Sequence, residues 1–108
     1  MSVQVERDTE GYLVNPDDWT EQIAVELAQE EHLELSDSHW QILRFIRDYN
    51  SLNNVVPDVR HVQAYLATEN GIDKREAKRV VFELFPYGYV KQACKISGMR
   101  RPRAWSTG

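Results

Sequence analysis

The feature that most constrains this fold is a series of apolar stripes at helical spacing, each closed by residues that stop a helix. Trp19, Ile23 and Leu27, with Ala24 and Ala28, recur at i, i+4, while Glu21, Gln22, Glu26, Gln29 and Glu30 take the other faces. This predicts an amphipathic helix from about Trp19 to near His32. Leu33-Glu34-Leu35 links it to a second helix, about Asp37 to Leu52, capped by Ser36 or Asp37 and carrying Trp40, Leu43, Phe45, Ile46 and Tyr49. It is the most apolar helix and is expected at the centre, ending at Asn53-Asn54. Val55-Val56-Pro57 crosses to a third helix over about Asp58 to Glu69, with Val59, Val62, Tyr65 and Leu66 on its apolar face and Asn70-Gly71 as its stop. A fourth, Asp73 to Phe85, opens with the spacing of a capping box between Asp73 and Glu76 and buries Ala77, Val80, Val81, Leu84 and Phe85. Pro86-Tyr87-Gly88 reads as a turn, and Tyr89 to Ser97 as two further helical turns before Gly98.

Ahead of the helices, Val3-Gln4-Val5-Glu6-Arg7 alternates, Asp8-Thr9-Glu10-Gly11 is turn-like and Tyr12-Leu13-Val14 is β-prone, which predicts a small hairpin. Beyond Gly98, Arg100-Arg101-Pro102-Arg103 shows no apolar period. The expected architecture is mainly α: a five-helix orthogonal bundle with a small N-terminal β-hairpin and a mobile C-terminal arm. The 108 residues are expected to form one domain, divided into hairpin (1–14), helical body (17–97) and arm (98–108). That length suffices for a core without metal or disulfide, and no cofactor is expected. No apolar run approaches a membrane span and no leader pattern opens the chain, so a cytoplasmic protein without a membrane partner is expected.

Charge is unevenly distributed. Residues 1–70 hold four Lys/Arg against fourteen Asp/Glu, a net −10, whereas residues 71–108 hold nine against three, a net +6. A basic end attracts nucleic acid or an acidic protein surface, and an acidic body repels long polyanions.

Cys94 is the only cysteine, so no disulfide can form within the chain. Lys91 and Lys95 flank it at i−3 and i+1, and nearby cations favour the nucleophilic thiolate. The competing reading is a small buried hydrophobe. His32, His39 and His61 show no metal-ligand spacing, and His39 at a helix start reads as a cap or stacking residue. Phosphate-loop, nucleophile-elbow and zinc-protease patterns are absent. Trp19 and Trp40 are assigned to the core, whereas Trp105 in the tail needs a groove or a partner to cover it. The third and fourth helices, joined by a short turn, also suggest a helix-turn-helix, with Lys74, Arg75, Lys78 and Arg79 facing tRNA or DNA.

Asp8-Thr9-Glu10-Gly11-Tyr12-Leu13, Trp19, Leu35-Ser36-Asp37-Ser38-His39-Trp40, Phe45-Ile46-Arg47-Asp48-Tyr49, Leu84-Phe85-Pro86-Tyr87-Gly88 and Lys91-Gln92-Ala93-Cys94-Lys95-Ile96-Ser97-Gly98 occur in that order. Together they resemble the DsrC/TusE family, the gamma-subunit proteins of dissimilatory sulfite reductase and the related sulfur-relay carriers for tRNA thiolation. The resemblance implies a mostly helical fold with a small N-terminal hairpin and a mobile C-terminal arm whose penultimate cysteine carries sulfur, many members having a second cysteine ten intervening residues earlier. Cys94 matches that earlier cysteine. Ten residues, Lys95 to Ala104, then lead to Trp105 where the carrier thiol would stand, and the chain runs on to Ser106-Thr107-Gly108. An indole cannot hold sulfane sulfur. The resemblance therefore implies a sulfur-relay protein that is either a carrier persulfidated on Cys94, a sulfurtransferase in that sense, or a noncatalytic accessory or regulatory partner. Its partners would be relay proteins or a tRNA-thiolating enzyme, met through Lys91, Lys95, Arg100, Arg101, Arg103 and Trp105. A nucleic-acid-binding regulator is the alternative.

Overall fold

The computed structural model describes residues 5–101. Its described part is mainly helical. A 3-10 turn, Pro16–Asp18, is capped by the Asn15 side chain and leads into α1 (Glu21–Glu30), where the Thr20 hydroxyl accepts the Ile23 N–H. Then come α2 (Asp37–Asn53), α3 (Val59–Asn70), α4 (Lys74–Leu84) and a fifth helical segment, Tyr89–Cys94, wound as a π-helix.

The helix boundaries follow from local chemistry. Ser36, rather than Asp37, caps α2 in a reciprocal box with His39. Its end at Asn54 takes the left-handed conformation, φ 59°, that asparagine tolerates better than most residues. Asp58 caps α3, and Gly71 closes it at φ 64°. Asp73 accepts the Glu76 N–H at 2.7 Å. The expected reciprocal half of that box is missing, because the Glu76 carboxylate instead takes Arg79 at 2.6 Å.

One core cluster draws on all four α-helices and the last segment: Ala24 and Leu27 from α1, Ile42, Leu43 and Ile46 from α2, Val62 and Leu66 from α3, Ala77 and Val81 from α4, and Phe85, Tyr89, Val90, Ala93, Cys94, Ile96 and Met99 at the end. α3 packs along α4, and α2 lies against both α3 and the π-helical segment. The last segment departs most from expectation. Five of its six residues are buried, a surround that the single stripe of an amphipathic α-helix does not serve. It starts from Gly88 at φ 116°, a conformation that only glycine adopts without strain.

Among the described residues the N-terminal hairpin has no strands. It reduces there to one isolated antiparallel bridge between Arg7 and Leu13. The cause is Asp8, whose carboxylate accepts the N–H groups of Glu10 (2.8 Å) and Tyr12 (3.0 Å). A side chain thus takes a donor that a strand ladder would need, and the loop closes on itself. Of the expected mobile arm, Gly98 to Arg101 is held in place and the remainder lies outside the described residues.

Candidate functional site

The site is built around the segment 89–99 and the side chains that hold it. Cys94 sits on the π-helical segment with 0% of its surface exposed. Burial pushes its thiol up to about 12, because a thiolate there would forfeit its hydration. The Tyr89 hydroxyl lies within hydrogen-bonding reach and opposes the shift only in part. That hydroxyl also donates to the Pro57 carbonyl at 2.5 Å, and burial raises its own pKa far above the ordinary phenol value.

The cations expected to activate Cys94 do not do so. Lys91 is exposed. Lys95 is turned inward, its side chain 16% exposed, with Nζ 3.7 Å from Glu31 and 5.2 Å from the Tyr12 ring centre. Glu31 accepts a bond from Gln92 as well, at 3.2 Å, and Gln92 in turn accepts the Tyr87 N–H at 3.1 Å. The segment is therefore tied to the end of α1 and to the turn before it.

A second set of ties holds its far end. The Trp19 indole N–H donates to Ile96 O at 2.8 Å, and the Arg47 guanidinium lies 4.3 Å from the Trp19 ring centre. Arg47 donates to Ser97 O (2.8 Å) and Pro16 O (3.1 Å). Gly98, at φ 81°, passes so close that an added Cβ would fall 2.7 Å from Trp19 Cγ. Trp19, Arg47 and Gly98 form a clasp. Arg100 then donates to Val14 O at 2.9 Å and Arg101 pairs with Glu10 at 2.7 Å. Arg103 and Trp105 lie outside the described residues.

His39 supports the same region from α2. Its Nδ1 accepts the Ser36 N–H at 3.0 Å, so Nε2 carries the proton and donates to Leu84 O at 3.0 Å. The ring meets Phe85 edge-on, with centroids 5.2 Å apart. Burial lowers its pKa, and the bond to Leu84 counters this only in part.

Lys74, Arg75, Lys78 and Arg79 lie together on the exposed face of α4, away from the clasp. Arg75, Lys78 and Arg79 border a groove of about 720 Å³ between α3, α4 and the turn 86–88. Its rim carries Phe82 and Tyr87, 69% and 75% exposed, and Tyr89 forms part of its lining. Among the described residues, no group of three His, Cys, Asp or Glu is placed to hold a metal ion. No helix there is long and apolar enough to cross a membrane.

Sequence reasoning did not single out Tyr89, Gln92, Arg47 or the groove-lining Phe82 as site residues. Arg47 left a signal, one of two arginines with Arg44 inside the most apolar helix, and so did Phe82, an aromatic on the basic face of α4.

These motifs and this fold have counterparts. The family model described as DsrC-like protein matches residues 1–104. The chain belongs to the DsrC family. The Sulfurtransferase TusE of Escherichia coli K12 is 39% identical over 99 residues, 92% of this chain and 90% of that protein. Its namesake in Photorhabdus laumondii is also 39% identical, over 92% of this chain and 88% of its own length. Among solved structures, the oxidized gamma-subunit of dissimilatory sulfite reductase (DsrC) from Archaeoglobus fulgidus superposes with a TM-score of 0.82 at 29% identity, covering 94% of this chain and 92% of that one. Allochromatium vinosum DsrC gives 0.82 at 33% identity, over 96% and 92%. This DsrC-family chain is a sulfur-relay protein. Nothing in these likenesses supports the nucleic-acid-binding alternative.

Proposed function

We propose that this chain serves a cytoplasmic sulfur relay, such as one for tRNA 2-thiouridine, as an accessory docking partner whose closed form takes up no sulfane sulfur itself. The observation that carries this reading is the state of its only cysteine, wholly buried with its thiol pushed up to about 12. Sulfur acceptance requires a thiolate that attacks the outer sulfur of a donor persulfide, forming a new S–S bond as the old one breaks and the donor leaves as a thiolate. Cys94 meets neither condition, ionisation or access, while the segment stays clasped. The exposed Lys91, the start of the arm at Arg100 and Arg101, and Arg103 and Trp105 beyond it are the groups we assign to partner contact.

Incubation with a cysteine desulfurase, its cysteine substrate and purified relay proteins, followed by mass spectrometry of the intact chain, tests the reading. No sulfur adduct is expected, and Cys94→Ser should support thiouridine formation as well as the parent. A near-stoichiometric adduct on Cys94, lost in Cys94→Ser along with thiolation, overturns it in favour of a carrier. Tyr89 is what favours that second reading: if a partner drew its hydroxyl from Pro57, the proton would be free to bond a Cys94 thiolate.

A further inference from the structure

The groove along α4 is built for a partner that the clasped segment does not supply. Its floor is apolar, with Val59 from α3, Val81 from α4 and Phe85 beyond it. Phe82 and Tyr87 stand at its rim, where large aromatic side chains left in water mark an interaction surface. Arg75, Lys78 and Arg79 form one edge. Glu76 holds Arg79 at 2.6 Å, whereas among the described residues neither Arg75 nor Lys78 is in an ion pair. Two unneutralised cations beside an apolar trough are complementary to a segment that presents apolar side chains flanked by carboxylates.

The same helix argues against a continuous polyanion. Glu76 and Glu83 interrupt its cations and both act on Arg79, and the net charge of residues 1–70 is −10. Discrete carboxylates can seat between such groups, whereas a phosphate backbone meets repulsion along its length.

We infer that this groove is a docking site for an acidic, amphipathic segment of a partner protein, its apolar face laid against Phe82 and Phe85 and its carboxylates against Arg75 and Lys78. Helix-in-groove recognition reads anchors at i, i+3 or i+4, and i+7, a spacing that suits a trough bounded by two helices. The surface also reaches inward, since Tyr89 lines the groove and contacts Cys94. A seated partner is thus one side chain from the thiol.

The test uses the full chain, labelled with ¹⁵N, and four probes. The first is a synthetic helical peptide with leucine and phenylalanine at i, i+4 and i+7 and glutamate between them. Its copies carry lysine for glutamate, or alanine for the apolar residues, and the fourth probe is an oligouridylate. Amide shifts from the acidic peptide are expected at Gln63, Arg75, Lys78, Phe82 and Tyr87. Phe82→Ala, and separately Arg75→Glu with Lys78→Glu, should each weaken binding about tenfold or more, whereas Leu52→Ala, exposed elsewhere, should not. Both peptide copies should bind at least about tenfold more weakly than the parent peptide. Absence of shifts at these residues, or affinity unchanged in Phe82→Ala, overturns the proposal. Tighter binding of the oligouridylate at the same residues overturns it in favour of RNA, and concentration-dependent shifts there without any probe assign the groove to a second copy of the chain. All substituted residues are exposed, and none touches the clasp, so these variants should fold. The groove does not depend on the role of Cys94, and its failure would leave the accessory reading untouched.

Discussion

Two parts of the basic carboxy-terminal third show what tertiary structure does with the same kind of residue. In the segment 89–101, Lys95 is turned inward to Glu31, while Arg100 and Arg101 stay at the surface but are engaged by Val14 O and Glu10, so cations that read alike in the sequence are held by the fold to different degrees. On α4, Arg75 and Lys78 stay displayed beside Phe82. The lesson is that charge in a sequence marks capacity, and partners in the fold decide whether it faces inward or outward. Substitutions in the first region should cost stability, and those in the second should cost binding alone.

The largest expected effect falls on Cys94. With its thiol at about 12, alkylation by iodoacetamide near pH 8 should run roughly a thousandfold slower in the native chain than in urea, where an ordinary thiol ionises near 8.5. Rapid native alkylation would erase the contrast between the two regions. The same shift has a stability sign. A group whose pKa is raised by folding stabilises the chain below its unfolded pKa, so this contribution should fade as pH rises through about 8.5 and above.

Gly98→Ala comes next. A left-handed alanine backbone and a Cβ pressed into the Trp19 indole should together lower stability by about 2–4 kcal/mol, read from the urea midpoint. Arg47→Met should cost about 2–3 kcal/mol, because two carbonyls, Ser97 O and Pro16 O, lose charged donors while the packing volume is nearly kept. Trp19 fluorescence should shift with it, since the guanidinium covers that ring.

His39 gives a smaller, pH-dependent effect. Its folded pKa is lowered, so its contribution is full above the unfolded value of about 6.5 and is lost as pH falls below it. Protonation would also place a proton on Nδ1, where the Ser36 N–H now points. Urea midpoints at pH 7.5 and 5.0 should therefore differ more in the parent than in His39→Gln, which keeps a capping side chain but does not titrate. The smallest change in stability is expected for Lys78→Ala on the groove edge, within about 0.5 kcal/mol. A large loss there would show that the α4 face is structural after all.

Much of the fold was legible because helices announce themselves locally. The apolar stripes of α1 to α4, the stops at Asn54 and Gly71 and the cap at Asp73 all depend on neighbours within a few residues. The hairpin failed for a reason equally local but finer in scale, namely the Asp8 carboxylate taking the Tyr12 N–H. The site was half legible. Cys94 and the basic face of α4 were visible as residues, but whether a thiol is buried or a cation is paired depends on segments 60 or more positions apart, as in Lys95 with Glu31, Trp19 with Ile96 and Arg100 with Val14.

By itself, then, the sequence determined four helices, the family motif and the absence of a thiol at position 105, since each is a matter of local pattern or residue identity. Only the tertiary structure decided that Cys94 is neutral and enclosed, that Trp19, Arg47 and Gly98 meet in one clasp, and that Arg75, Lys78 and Phe82 border a groove. Solvation and pairing are set by what packs against a side chain, and here the packing partners come from distant parts of the chain.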